Sequence, residues 1–414
     1  MGASVSQIRQ FLTPLLLIAV VIYPVFLGNK MVPFFLGGLV FSTILEKSKK
    51  RKLKSRLQLL IPFVFTIAVY LVYTLLAPDL LLALKILERQ ISLILIPLVV
   101  VLSDWPRKRI SFLCISYVSV ICIISLFSIL VLYQFNIENS AWIDTITSTP
   151  TSKFIYLQYK YPHVLNTHPT YWSYLILVAI LIINSVFLKK EGRISWSLGV
   201  IWFFLSANLF YLAGRTPIFI YTLTQLFFFF SFFRVFHVKS PKRRIYSLLG
   251  FASALLFFTL ICTPLFVKKT TISLNDERTE FWPLAITTIK NNYFVLGEGV
   301  GQANEVIKKY ILENGDEREG YNGYDLHNQY LRHYVEMGIL GISSLFLLLY
   351  TLLKNVKSCK THIVFITISV TIMFILSFTT ESLLIRLKGI VFFSAISSLL
   401  LVTKTTEKAP RTSC

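Results

Sequence analysis

Residues Ile110–Tyr133 read ISFLCISYVSVICIISLFSILVLY, 24 residues without one charged side chain. As a helix this run extends about 36 Å, more than the roughly 30 Å of hydrocarbon in a bilayer. It is one of several. Phe11–Leu27, Leu57–Leu76 and Ile245–Phe266 carry few charges or none, in a chain that is 55% hydrophobic with a mean hydropathy of +0.67. Backbone in lipid must satisfy its own hydrogen bonds, which leaves helices as the form for runs of this kind. The composition excludes a soluble domain and predicts an all-α polytopic membrane protein.

Twelve spans are expected, at about 11–27, 31–46, 57–76, 86–102, 110–134, 170–188, 194–213, 217–233, 245–266, 338–353, 363–380 and 389–403, with both termini cytoplasmic. Charge supports this order. The connections placed inside carry 25 of the 41 Lys and Arg but 4 of the 20 Asp and Glu, while the outer side carries 16 of each. The whole net charge of +21 is therefore positive-inside topology with attraction to anionic membrane lipid, and it calls for no nucleic acid. No repeat or low-complexity linker divides the 414 residues, so a single membrane domain is expected. The first run lacks a cleavage site and reads as a helix, not a removed leader. Cys414 is last in the chain, not fourth from the end, so there is no prenylation box. The five cysteines have no metal or disulfide spacing.

Two outer loops are substantial, Phe135–Pro169 and a longer one at 267–337 between the ninth and tenth spans. The first is rich in Tyr, Thr and Pro, and its aromatics suit a membrane interface. His168 stands before Pro169, a proline tolerated in a first helical turn, as an interfacial structural residue or a ligand contact. At Gly214-Arg215-Thr216-Pro217 a guanidinium stands at a hairpin end, where it snorkels or meets an anion. The glycine and the new helix N-terminus favour an anion, phosphate in particular.

The loop at 267–337 is where chemistry is expected. Asn275 and Asp276 read as caps of a helix carrying Arg278, Trp282, Ile286 and Ile289. Leu296-Gly297-Glu298-Gly299-Val300-Gly301 follows, either a tight turn or a close backbone approach to ligand at Gly299 and Gly301; it lacks the lysine of a nucleotide loop. Residues 313–324 are acidic. Asp325-Leu326-His327-Asn328 then opens an amphipathic stretch that merges into the tenth span. A helix N-terminus at His327 favours a neutral ring. Asn328, Arg332 and Glu336 share one face and read as a solvated edge.

The ordered set of Arg215 after a span, Arg278 four before Trp282, Gly297–Gly301, and His327-Asn328 with Gly338 and Gly341 resembles the O-antigen ligase and polymerase superfamily of bacterial membrane glycosyltransferases. Thr380-Glu381-Ser382 with Gly389 is similar to some members. Trp282 stands where many ligases have Leu, and a Thr-x-Trp after the last glycines is absent. The resemblance implies a periplasmic active site on the inner membrane. There a glycan moves from undecaprenyl diphosphate to an acceptor hydroxyl, with no cofactor, nucleotide sugar or metal. Within it Arg215 and Arg278 are expected to grip the diphosphate and His327 to act as base. Asn328, Trp282, His168, Gly299 and Gly301 are expected to contact substrate.

Ligation of O-antigen to lipid A-core is the first expectation. A polymerase or a protein O-oligosaccharyltransferase is the alternative, since acceptor choice lies in variable loops. A transporter or flippase would place charges mid-span at broken helices. Lys85, Glu88 and Arg89 near the fourth span are the main such charges, and an outer interfacial location accounts for them.

Overall fold

The computed structural model describes residues 2–44, 56–147, 150–164, 167–189, 196–212, 214–235, 278–291, 295–313, 325–354 and 356–406. The expected ninth span, the Asn275 and Asp276 caps, the acidic 314–324 segment and most of the Lys47–Arg56 cluster lie outside them. The described residues are helical throughout, with no strand. In chain order the helices are α1 (Gly2–Phe26), α2 (Val32–Ile44), α3 (Ile61–Leu75), α4 (Leu80–Gln90), α5 (Ser92–Leu102), α6 (Arg107–Glu138), α7 (Ser140–Ile146) and α8 (Pro150–His163). They continue as α9 (Pro169–Lys189), α10 (Trp196–Tyr211), α11 (Arg215–Val235), α12 (Arg278–Asn291), α13 (Gln302–Glu313), α14 (Gln329–Leu353), α15 (Thr361–Thr380) and α16 (Leu387–Thr406).

Six of these elements are long and apolar enough to cross a membrane: α3 with its leading turn, α6, α9, α14, α15 and α16. Shorter apolar helices at Phe11–Phe26, Val32–Ile44 and Trp196–Tyr211 accompany them. The protein is an integral membrane protein. α9 is its central post, with 83% of its apolar window buried, packed against α10, α11, α15 and α6. α16 lies on α5, α14 on α3, and α11 on α15.

Two sequence expectations change. The span expected at 86–102 is two helices meeting at Ile91, and Asp79 caps the first by accepting from the Leu82 amide at 3.0 Å. α4 buries Ala83, Ile86 and Gln90 and leaves Lys85, Glu88 and Arg89 exposed, so those charges belong to an amphipathic helix and not to a span interior. α5 is 11 residues, about 16 Å, and is buried between α16 and α3. The outer loop at 135–169 folds into the end of α6, α7 and α8. One of its aromatics packs inward: Tyr161 stacks on Trp172 of α9 with centroids 4.8 Å apart, both fully buried, and also hydrogen-bonds Asn208, whereas Trp142 stays exposed.

The expected start of the tenth span coincides with a break in α14. Gly338 has φ +56° and ψ −149°, a left-handed conformation that side chains resist. The break frees the carbonyls of Val335 and Glu336 from the helical ladder. The 295–301 strap takes them up: Glu298 N–H donates to Val335 O (2.8 Å) and Gly299 N–H to Glu336 O (3.0 Å). Ile339 N–H donates back to Val295 O (3.2 Å). A Cβ on Gly297 would collide with the Glu336 carbonyl and the Met337 amide, and one on Gly338 with Val295 O. Both positions require glycine. Gly297→Ala should destabilise the protein by more than about 2 kcal/mol in thermal unfolding. Gly37→Ala, where an added Cβ meets nothing within 4 Å, should leave the melting temperature unchanged. Equal effects at both positions would remove the strap from its structural role.

Candidate active site

At one end of the bundle three loops meet: the entry to α14 (325–328), the α15–α16 turn (381–386) and the entry to α9 (167–168). Trp282 and Arg278, one turn apart on α12, hold the first two. Trp282 Nε1 donates to Leu326 O at 2.8 Å, and Arg278 Nη2 to Thr380 O at 3.0 Å. Asn328 caps α14, its Oδ1 accepting from the amides of Tyr330 (3.0 Å) and Leu331 (3.1 Å). His327 is thus pinned on both sides. Its φ of +47° is the one positive value outside glycine among the described residues, a conformation that clusters at functional sites.

His327 Nδ1 faces Glu381 Oε2 at 3.5 Å. That contact raises the His327 pKa above the ordinary histidine value, with the charges of Glu381 and Asp325 adding to it, against burial and the nearby Arg278. The shift runs against the helix-dipole expectation of a lowered value, because a carboxylate at contact distance outweighs a partial charge. His168 is the converse. Burial pushes its pKa down to about 4, and the charges of Lys388, Arg386 and His327 add to this while Glu381 opposes. Its Nδ1 is buried without a hydrogen-bond partner among the described residues. Lys388 Nζ lies 4.4 Å over the Tyr171 ring, and a polar cavity of about 990 Å³ opens beside it, lined in part by Glu88, Arg89, Arg386 and Lys388.

Arg278, His327 and His168 therefore converge with Glu381. Arg215 starts α11, and the adjacent Gly214 sits against Ser173 in the first turn of α9. The next residue, Tyr174, lies beside Ser377 and Thr380 at the end of α15 and near the charge of Arg278. That chain of contacts puts Arg215 at the same end of the bundle. Gly299 and Gly301 are elsewhere: both have positive φ, and they face Ala77 and Pro78 in the α3–α4 turn and Leu82 and Ile86 of α4. Their close backbone approaches are to protein.

The solvated edge expected at Arg332 and Glu336 is buried, each residue 2% exposed. Arg332 contacts Glu336 Oε1 at 2.9 Å, Asp325 Oδ1 at 3.0 Å and Asn304 Oδ1 at 2.8 Å. Asp325 Oδ1 also accepts from Ser382 Oγ at 2.9 Å. A second relay runs from Gln90 Nε2 to Leu384 O (2.6 Å), then from Leu384 N–H to Gln329 Oε1 (2.6 Å), with Gln329 Nε2 on His333 Nδ1 (2.8 Å). Together these fix the 381–386 turn that carries Glu381. Among the described residues no group of His, Cys, Asp or Glu could hold a metal.

Residues 170–346 match the family model described as O-antigen ligase. The match supports the O-antigen ligase and polymerase superfamily on this part of the chain. The matched region carries Arg215, Arg278, Trp282, the glycine strap, His327 and Gly338, whereas His168 and Glu381 fall outside it. No curated protein matches the chain. A match of this kind implies a glycosyltransferase-like enzyme.

Breaking a buried ion pair strands a charge and costs about 3–5 kcal/mol. Arg332→Met should lower the melting temperature in detergent strongly, and Arg332→Met with Glu336→Leu should restore much of it. A single variant as stable as the parent would contradict the buried pair.

Proposed function

We propose that this protein transfers a glycan from undecaprenyl diphosphate to an acceptor hydroxyl at the periplasmic face of the bacterial inner membrane. O-antigen ligation to lipid A-core is the preferred form. Polymerase and protein O-oligosaccharyltransferase chemistry would use the same donor half. The observation that carries the reading is His327, held at positive φ with Nδ1 on Glu381, at the end of the bundle that also bears Arg278 and Arg215.

In this reaction the acceptor oxygen forms a bond to the anomeric carbon, the bond from that carbon to the phosphate oxygen breaks, and undecaprenyl diphosphate departs with the electron pair. Glu381 orients the His327 ring and stabilises the imidazolium formed when Nε2 takes the acceptor proton. Arg278 and Arg215 meet the charge that grows on the diphosphate, and Arg89, Arg386 and Lys388 make the adjoining cavity suitable for phosphoryl groups. Neutral His168 offers a hydrogen bond to a sugar hydroxyl. Trp282 and Asn328 act on substrate through the loop they hold. The reaction uses no metal, and turnover should survive EDTA.

The test is transfer by the membrane-reconstituted protein from a polyprenyl-diphosphate glycan. Arg278→Ala should lower turnover roughly 10²–10³-fold and His327→Ala roughly 10²–10⁴-fold, with insertion intact. Glu381 raises the His327 pKa, so the base form accumulates only above that raised value. The rate should therefore climb with pH through an inflection above about 6.5, and Glu381→Gln should move the inflection to lower pH and depress the plateau. Normal turnover in Arg278→Ala, or an inflection unmoved in Glu381→Gln, would remove those residues from these roles.

A further inference from the structure

A second cavity lies far from the cluster just described. It occupies about 630 Å³ between α1, α6, α9, α10, α15 and α16, within the roughly 300–1,000 Å³ typical of ligand clefts. Its walls are aliphatic, with Ile182, Ile366 and Leu399 among them, and no acidic side chain lines it. Its cations are Arg107 and Lys189, with the His362 ring beside them. Arg107 begins α6, Lys189 ends α9 and His362 lies in the first turn of α15. All three stand at one level, at the end of the bundle opposite His168 and Thr380. α9 connects the two ends, its 21 residues covering about 31 Å.

An apolar slot inside a membrane bundle, closed at its polar end by two cations and hydroxyls with no carboxylate among them, matches one kind of ligand: a hydrocarbon chain continuous with an anionic head. We propose that this cavity binds an anionic glycerophospholipid from the leaflet at the basic end of the bundle, one acyl chain between α6, α9 and α16 and its phosphate on Arg107 and Lys189. Ser111 and Ser185, also in the lining, offer hydroxyls toward the ester region. The site is independent of the transfer reaction: its lining includes none of the residues assigned there, and it would hold lipid whether or not the chain transfers glycan. The lipid fills a void that would otherwise weaken the packing of α9, the post on which the other end is built.

The experiment compares the full-length protein in detergent with phosphatidylglycerol and with phosphatidylcholine of identical chains. Native mass spectrometry reads lipid retention, and thermal unfolding reads stabilisation. Phosphatidylglycerol should be retained at one copy and raise the melting temperature, and phosphatidylcholine should do neither. Each basic residue near an anionic head contributes about fivefold. Arg107→Gln with Lys189→Gln should therefore weaken phosphatidylglycerol retention roughly twentyfold while melting in phosphatidylcholine stays unchanged. The charge-preserving pair Arg107→Lys with Lys189→Arg should keep the preference, which covers failure of the double glutamine variant to fold. Ile115→Trp, which narrows the slot from its lipid-facing wall, should reduce retention with the charges intact. Equal binding of the two lipids, retention unchanged in the double glutamine variant, or loss of preference in the charge-preserving pair would overturn the site.

Discussion

A helix broken inside a packed bundle must find partners for the backbone groups it releases, because apolar neighbours supply none. That constraint organises this protein. Gly338 breaks α14, and the strap from Val295 to Gly301 takes the freed carbonyls of Val335 and Glu336 and returns one of its own to Ile339. Gly301 adds an amide to the Glu336 carboxylate. The strap also donates from Val300 N–H to Tyr73 O at the end of α3. One irregular segment thereby joins α3, α4 and the two halves of α14. The N-terminal half of α14 then lies over the bundle end, and the segment before it presents Asp325, His327 and Asn328 to the α15–α16 turn.

The buried charges depend on the same arrangement. Arg332 lies among Asp325, Glu336 and Asn304, and Asp325 passes the connection to Ser382, next to Glu381. Two histidines then sit in opposed environments a short distance apart. His327 is drawn toward its charged form by a carboxylate, and His168 is held neutral by burial among cations. Opposed environments of this kind separate a proton acceptor from a neutral hydrogen-bonding partner, which suits a reaction that must deprotonate one hydroxyl and hold others.

Much of this was legible in the sequence. Uncharged runs such as Ile110–Tyr133 gave the helices, and the break at Gly338 falls where the tenth span was expected to begin. The spacing of Arg278, Trp282 and His327 pointed to residues that do meet, and the superfamily match covers them. What escaped depended on distance along the chain. Glu381 is 54 positions from His327 and outside the matched region, and no local pattern announces that a turn between two helices will supply its partner. Arg332 and Glu336 looked solvated because i, i+4 charge pairs usually are; burial came from α12, α13 and the strap closing over them. The glycines were open to two readings, and their contacts with Glu336, Ala77 and Leu82 show how tightly the chain packs there. The break at Ile91 follows Glu88-Arg89-Gln90, polar residues that the sequence places near a span without marking them as the end of one helix and the start of another.

The central claim is that the cluster around His327 and Arg278 moves a glycan off a lipid diphosphate. It is tested most directly in a strain lacking this gene, by comparing lipopolysaccharide on gels with the polyprenyl-diphosphate glycans extracted from the same cells. The account predicts that lipid-linked glycan accumulates and its acceptor goes bare, with both reversed by the parent gene and not by the Arg278→Ala form. Lipid-linked glycan at parental levels, with every acceptor still decorated, would contradict it.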